Sequence, residues 1–160
     1  MLPEEVTRLI GKRGGVRILE VEKGAIKKFA DAVDDQNPLY WDEEYARNSR
    51  YGSIIAPPGF FGWPTRWPKD STFVFHTDIT AEVRDAVSEA GYSRGLDGGT
   101  EYEFFIPIRA GDTLATSTMI KDIVEREGKT GKMVFVFTET TYINQNGDLV
   151  AMATSTSINR

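Results

Sequence analysis

Apolar residues recur at two different periods along this chain, and the change of period divides it. In the first part they return every three or four positions. Ile26, Phe29, Ala30 and Val33 form one stripe, which predicts a helix over 25–33. The residue before a proline is driven out of the α region, so Asn37-Pro38 is expected to end that helix. Short helices are expected over 3–12, ended by Gly14-Gly15, and over 43–46, capped by Asp42. Between them, 16–22 alternates and is rich in β-branched residues, the pattern of a strand. A further helix is expected over 80–90, with Thr80 as cap and Gly91 as stop.

From Thr100 the period falls to two. Tyr102, Phe104 and Ile106 share one face, Glu101, Glu103 and Phe105 the other, which predicts a strand over 100–109. Three more strands are expected over 113–125, 132–144 and 148–158. Ala110-Gly111-Asp112 reads as a turn and 127–131 as a polar hairpin loop. Asn146-Gly147 is a two-residue hairpin signal. Helices first and an antiparallel meander afterwards is the order of an α+β domain. The expected architecture is a curved antiparallel sheet packed against one helical segment.

Residues 51–68 follow neither period. They hold Pro57, Pro58, Pro64 and Pro68 among glycines and aromatic rings. Pro64 argues against one long helix, so a short helix over 59–62 is expected, lengthened or kinked afterwards. Residues 71–77 are expected to be extended.

The 160 residues fit one domain, taken as 1–160, large enough to close around a single core. The net charge of -5 disfavours nucleic acid and anionic membrane as general partners, because both attract basic surfaces. The chain has no cysteine, which excludes disulfides, thiolate metal sites and a cysteine nucleophile. No leader pattern or membrane-length apolar run is visible, so a soluble cytoplasmic protein is expected. Neither a metal nor a cofactor is expected.

Two segments carry candidate chemistry: Asp35-Gln36-Asn37-Pro38-Leu39-Tyr40 and Ala56-Pro57-Pro58-Gly59-Phe60. With Tyr45-Ala46, Pro107 and Gly111-Asp112, their order and spacing resemble the MaoC-like hydratase/dehydratase family, in the branch of dehydratase N-terminal domains. The resemblance runs from about Val21 to the C-terminus. It implies a hot-dog domain, a curved antiparallel sheet wrapped around a central helix. It also implies action on acyl thioesters, carried by coenzyme A or by an acyl-carrier protein. In active relatives an aspartate and a histidine work as a pair, moving a proton and a water or hydroxyl at carbons two and three. Two groups of different basicity at a fixed separation can do both. Asp35 falls at the aspartate position. Tyr40 stands where the histidine would be, and a phenol with an ordinary pKa near ~10 is a poor base at neutral pH.

Each candidate also has a plainer reading. Asp35 can simply cap a helix end or a turn, and Asn37 can hold that turn by bonding its own backbone. Tyr40 is a candidate surrogate acid or a packed aromatic. His76 is the only imidazole in the chain, hence the only intrinsic replacement for the missing one, although a lone histidine is more often structural. The resemblance implies that the central helix starts near Gly59 and Phe60 and offers backbone N–H donors to the thioester oxygen. Phe60, Phe61 and Trp63 are then candidates for an acyl tunnel, or for core or subunit interface. Trp67 is a further candidate of the same kind. Arg47, Arg50 and Arg66 are candidates for the phosphates of the carrier.

Three activities are compatible with these residues. One is a (3R)-hydroxyacyl-thioester dehydratase or enoyl-thioester hydratase. Another is an acyl-binding subunit whose partner supplies the aspartate and histidine. A third is a hot-dog thioesterase. The resemblance implies a homodimer, or a heterodimer with a second MaoC-like chain.

Overall fold

The computed structural model describes residues 1–64, 78–128 and 131–160. Within them the helices are α1 (Glu4–Thr7), α2 (Lys23–Ala32), α3 (Glu43–Asn48) and α4 (Asp78–Glu89), with one 3₁₀ turn at Pro38–Tyr40. The strands are β1 (Arg17–Glu20), β2 (Trp63–Pro64), β3 (Gly95–Phe104), β4 (Thr113–Gly128), β5 (Gly131–Ile143) and β6 (Leu149–Asn159). They form one sheet in the order β2-β1-β4-β5-β6-β3, and every neighbouring pair is antiparallel. A sheet of this kind with helix α4 against it is the hot-dog architecture. Among the described residues no helix is long and apolar enough to cross a membrane.

Register decides which side chains meet the helices. Thr116 pairs with Arg17 and Tyr142, and Thr118 with Thr140. Thr138 pairs with Ile120 and Ser155, and Val136 with Ile123 and Ser157. Paired residues share a face. That face carries two apolar clusters, one toward each end. At one end Leu114 and Ala151 pack with Ile26 and Ala30 of α2, and with Tyr40, Ala46, Phe60 and Phe61. At the other, Ile120, Ile123, Val134 and Val136 pack with Ile79, Val83 and Val87 of α4. These three α4 residues lie four apart, one stripe of a helix. Fully burying each such side chain contributes about 1.5–3 kcal/mol. The hydroxyls of Thr116, Thr118, Thr138 and Thr140 lie between the two clusters.

Several expectations are met with shifted ends, and others are corrected. The N-terminal helix is one turn long, not 3–12. Backbone pairing to β4 replaces the rest: Gly11 N donates to Ile120 O, Gly14 N to Thr118 O, and Ile120 N to Lys12 O. Helix α4 begins at Asp78, so Thr80 lies inside its first turn and does not cap it. Strand β3 begins five residues before Thr100, because a register shift between Asp97 and Thr100 absorbs Gly98-Gly99. Asp97 Oδ1 accepts from Gly99 N there (2.8 Å). The Asn146-Gly147 turn is longer than two residues, since Ile143 pairs with Leu149 and Asn144 Oδ1 gathers both Asn146 N and Asp148 N.

The helix expected over 59–62 is absent. Phe60 N donates to Pro57 O (3.1 Å), and Gly59 has a φ of +92°. Proline second and a left-handed glycine third is the type II turn. Gly62 is also left-handed, and a Cβ there would lie 2.5 Å from the carbonyl oxygen of Glu20. The stretch expected to be extended over 71–77 lies outside the described residues.

Candidate functional site

A run of local caps positions Asp35. Helix α2 ends in Asp34, the one non-glycine residue with positive φ (+54°) among those described. Asp35 N donates to Ala30 O (2.9 Å) and Asp34 N to Asp31 O (3.1 Å), the two bonds of a Schellman motif. The chain therefore leaves the helix before Asn37-Pro38, and Val33 becomes the exposed cap instead of a stripe residue. Asp35 Oδ1 then accepts from Asn37 N (3.1 Å). Asn37 Oδ1 accepts from Leu39 N (3.1 Å) and caps the 3₁₀ turn that carries Tyr40. Asp42 Oδ1 accepts from Glu44 N and Tyr45 N and caps α3, as its position predicts. Trp41 Nε1 donates to Asp35 O (2.9 Å), fixing the backbone of the aspartate from the far side.

Asp35 is half-buried, and its Oδ2 makes no hydrogen bond among the described residues. Tyr40 is buried in the α2 cluster. Burial raises its pKa above the ordinary phenol value, the Asp35 charge and Tyr51 raise it further, and the Asn37 side chain opposes them. Tyr40 thus stays protonated beside a carboxylate. The pair offers one proton acceptor and one donor, with the donor on the tyrosine.

The type II turn takes away part of the expected oxygen-binding site. The Phe60 N–H is already used within the turn, and no helix begins at Gly59. Phe60 and Phe61 are buried core residues rather than cavity wall. Phe60 lies against Phe29 (ring centroids 5.3 Å apart) and Trp63 (6.2 Å). Phe61 stacks on Tyr142 (4.0 Å) and Phe104 (5.9 Å). Trp63, half exposed, does line a cavity of about 730 Å³ between the sheet face and α4, together with Gly62, Leu19, Val83 and Tyr142. The cavity also takes in the sheet hydroxyls, which the sequence reading did not single out. His76, Arg66 and Trp67 lie outside the described residues. Arg50 stands over the Tyr51 ring (4.8 Å), and Arg47 closes the last turn of α3. Among the described residues, no three carboxylate or imidazole side chains converge as a metal would require.

Residues 8–153 match the family described as the FAS1-like dehydratase domain region. A UPF0336 protein of Saccharopolyspora erythraea is 33% identical over 88% of this chain and 81% of its own length. One of Streptomyces avermitilis is 35% identical over 68% of this chain, a match spanning 66% of that relative. A probable enoyl-CoA hydratase alpha subunit of Thermomonospora curvata is 27% identical over 79% of this chain, but over only 40% of its own length. Among solved structures, the ChsH1-ChsH2 complex of Mycobacterium tuberculosis superposes with a TM-score of 0.73. It is 21% identical and covers 91% of this chain and 87% of that one. The HadBC (3R)-hydroxyacyl-ACP dehydratase complex of the same organism gives 0.66 at 24% identity, over 96% and 98% of the two chains. A MaoC-like dehydratase of Rhodospirillum rubrum gives 0.59 at 24%, over 94% and 91%. The chain belongs to the FAS1-like dehydratase region family of MaoC-like hot-dog proteins.

Proposed function

We infer that this chain is one protomer of an acyl-thioester hydratase/dehydratase completed by a second MaoC-like chain. The observation that carries the reading is the Asp35–Tyr40 arrangement: a capped carboxylate with one free oxygen beside a buried, protonated phenol. In dehydration a base takes the proton from carbon two, and that electron pair becomes the double bond. Hydroxide leaves carbon three and is protonated as it goes. Asp35 suits the first task. Tyr40 can donate a proton or a hydrogen bond, but it cannot replace an imidazole as base.

A partner chain carrying an intact Asp-x-Asn-Pro-x-His motif supplies the missing group. Two of the similar structures, ChsH1-ChsH2 and HadBC, are complexes, and one relative is named as an alpha subunit. The cavity beside α4 then holds the acyl group. Coenzyme A and acyl-carrier protein present the same thioester, so both belong in the test.

The test is hydration of an enoyl-coenzyme A and an enoyl-carrier protein, followed by loss of enoyl absorbance. The chain is assayed alone and copurified with a candidate partner. The expected result is slow turnover alone and fast turnover together. Loss of a positioned acid or base costs about 100- to 10,000-fold. Rapid turnover by the single chain, unchanged in Asp35→Asn, overturns the reading.

A further inference from the structure

The cavity floor is built from hydroxyls at positions where a sheet packed on a helix would ordinarily carry aliphatic groups. Thr116, Thr118, Thr138, Thr140, Ser155 and Ser157 line it, from three neighbouring strands. Valine has the shape of threonine and an equal preference for strands, so propensity does not explain the choice. Some of the hydroxyls satisfy each other. Thr118 and Thr140 bond at 2.8 Å, Ser155 bonds Thr100 at 2.9 Å, and Ser157 accepts from Asn159 at 3.4 Å. Those of Thr116 and Thr138 meet no side-chain or backbone partner among the described residues, and neither is among the buried orphans of the core. They open on the cavity.

Of the charged lining residues, Arg84 and Asp97 are exposed at the rim, while Arg17 is half-buried and pairs across the sheet with Thr116. Arg84 pairs with Asp85, and Asp97 accepts from the Gly99 backbone. The threonine and serine hydroxyls of the floor are neutral donors and acceptors, and the Arg17 side chain stands beside them next to Thr116. The apolar side of the same cavity comes from Leu19, Trp63, Val83 and Tyr142.

We propose that this cavity selects acyl groups bearing an oxygen function, such as a hydroxyl or a ketone, beyond the reacting carbons. The inference rests on the thioester reading above and narrows it to a substrate class. An all-hydrocarbon chain strips water from Thr116 and Thr138 and returns nothing. A chain with an oxygen in reach replaces that water with a hydrogen bond.

The experiment is isothermal titration of the full chain, with and without the candidate partner. The ligands are saturated acyl-coenzyme A esters of equal length: octanoyl, and its ketone and hydroxyl derivatives substituted between carbons five and eight. Free coenzyme A is the control. The expected result is about tenfold or more tighter binding for at least one oxygenated ester than for octanoyl, as for a site whose polar groups would otherwise stay unpaired. The isosteric double variant Thr116→Val/Thr138→Val should lose that preference. Thr138→Ser alone, which keeps the hydroxyl, should retain it. Octanoyl binding as tightly as every derivative, or a preference that survives the double variant, overturns this inference and leaves the thioester reading standing. If no ester binds more tightly than free coenzyme A, both fail.

Discussion

Tyr142 lies flat against Phe61, with ring centroids 4.0 Å apart and planes 18° from parallel. Phe61 belongs to the core cluster that also holds Tyr40, whereas Tyr142 is part of the cavity wall. One stacked pair therefore joins the candidate acid to the candidate acyl site. Burial raises the Tyr142 pKa beyond the range in which it could ionise, so the ring acts as packing. Phe61→Ala should cost about 3–5 kcal/mol in a urea titration, the cost of removing a buried aromatic. It should also weaken acyl binding, through loss of the Tyr142 rotamer. Unchanged stability would mean that this stack is not part of the core.

Asp34 sets where Asp35 points. It occupies the left-handed position of the Schellman motif with a φ of +54°. A β-branched residue there meets its own backbone, while glycine does not. Asp34→Val should destabilise by about 1–2 kcal/mol and lower any turnover of the chain assayed with the candidate partner. Asp34→Gly should be neutral or slightly stabilising, less whatever the exposed Gln36–Asp34 bond (3.1 Å) contributes. Both are read from thermal melts and initial rates.

Glu125 is the main acid-sensitive contact among the described residues. It receives Lys132 Nζ (2.9 Å), Tyr92 OH (2.8 Å) and the Met1 amino group (3.2 Å), which hold its pKa down at about 2. A carboxyl with a depressed folded-state pKa adds stability above its unfolded value, near ~4.3, and loses it as pH falls through the folded one. The stability curve should therefore fall between these two values, and Glu125→Gln should flatten that limb. Lys132, with a raised pKa, adds stability below its unfolded pKa, lost as pH rises through the folded one. Urea midpoints measured across the acid range check the first effect.

The sequence showed most of the sheet and little of the cavity, for physical reasons. β4, β5 and β6 alternate over eleven or more residues each, and α2 carries Ile26, Phe29 and Ala30 on its inner stripe, so local pattern and burial agree there. The Asp42 cap is equally local. The signal for the type II turn was also present, as Pro58 followed by Gly59, but the family resemblance implied that the central helix starts there. The N-terminal pairing of Gly11 and Gly14 with β4 joins residues more than a hundred apart, which no local window reveals. The hydroxyl floor was hidden in plain β-branched composition. Threonine and valine predict the same strand, and only the register shows four threonines side by side on the helix face. Asp35, Asn37 and Tyr40 were legible as a motif, yet the Schellman motif that aims Asp35 was not, because aspartate in the left-handed region leaves little mark in sequence.

Tyr40 is expected to act as a donor and not as a base. Tyr40→Phe should lower the rate of the chain assayed with the candidate partner about tenfold or more while leaving the fold intact, if a positioned donor is lost. Its pKa is raised from the ordinary phenol value, so its ionisation should not limit the rate below pH ~10. Tyr40→His should raise the turnover of the single chain, provided the buried pocket admits the imidazole. Asp35→Asn should remove any such gain. A pH–rate profile of the chain with the candidate partner and of Tyr40→His alone separates these outcomes.

Strand β3 is the surface on which association is expected. It ends the sheet, all ten of its residues are exposed, and Leu96, Tyr102, Phe104 and the adjoining Phe105 present large apolar groups. An edge this long and this apolar is a liability for a monomer, because its unpaired backbone groups invite another strand. Glu101 and Glu103 place acidic groups along the same edge, so a second strand with basic residues there fits better than an identical copy. Sedimentation of the chain with the candidate partner should give a one-to-one complex or a multiple of it. Phe104→Glu/Phe105→Glu should abolish the complex; the isolated chain should also melt somewhat lower, because Phe104 stacks on the core residue Phe61 (5.9 Å), so association is scored on protein shown to be folded. A complex that survives this double substitution would place the interface elsewhere on the molecule.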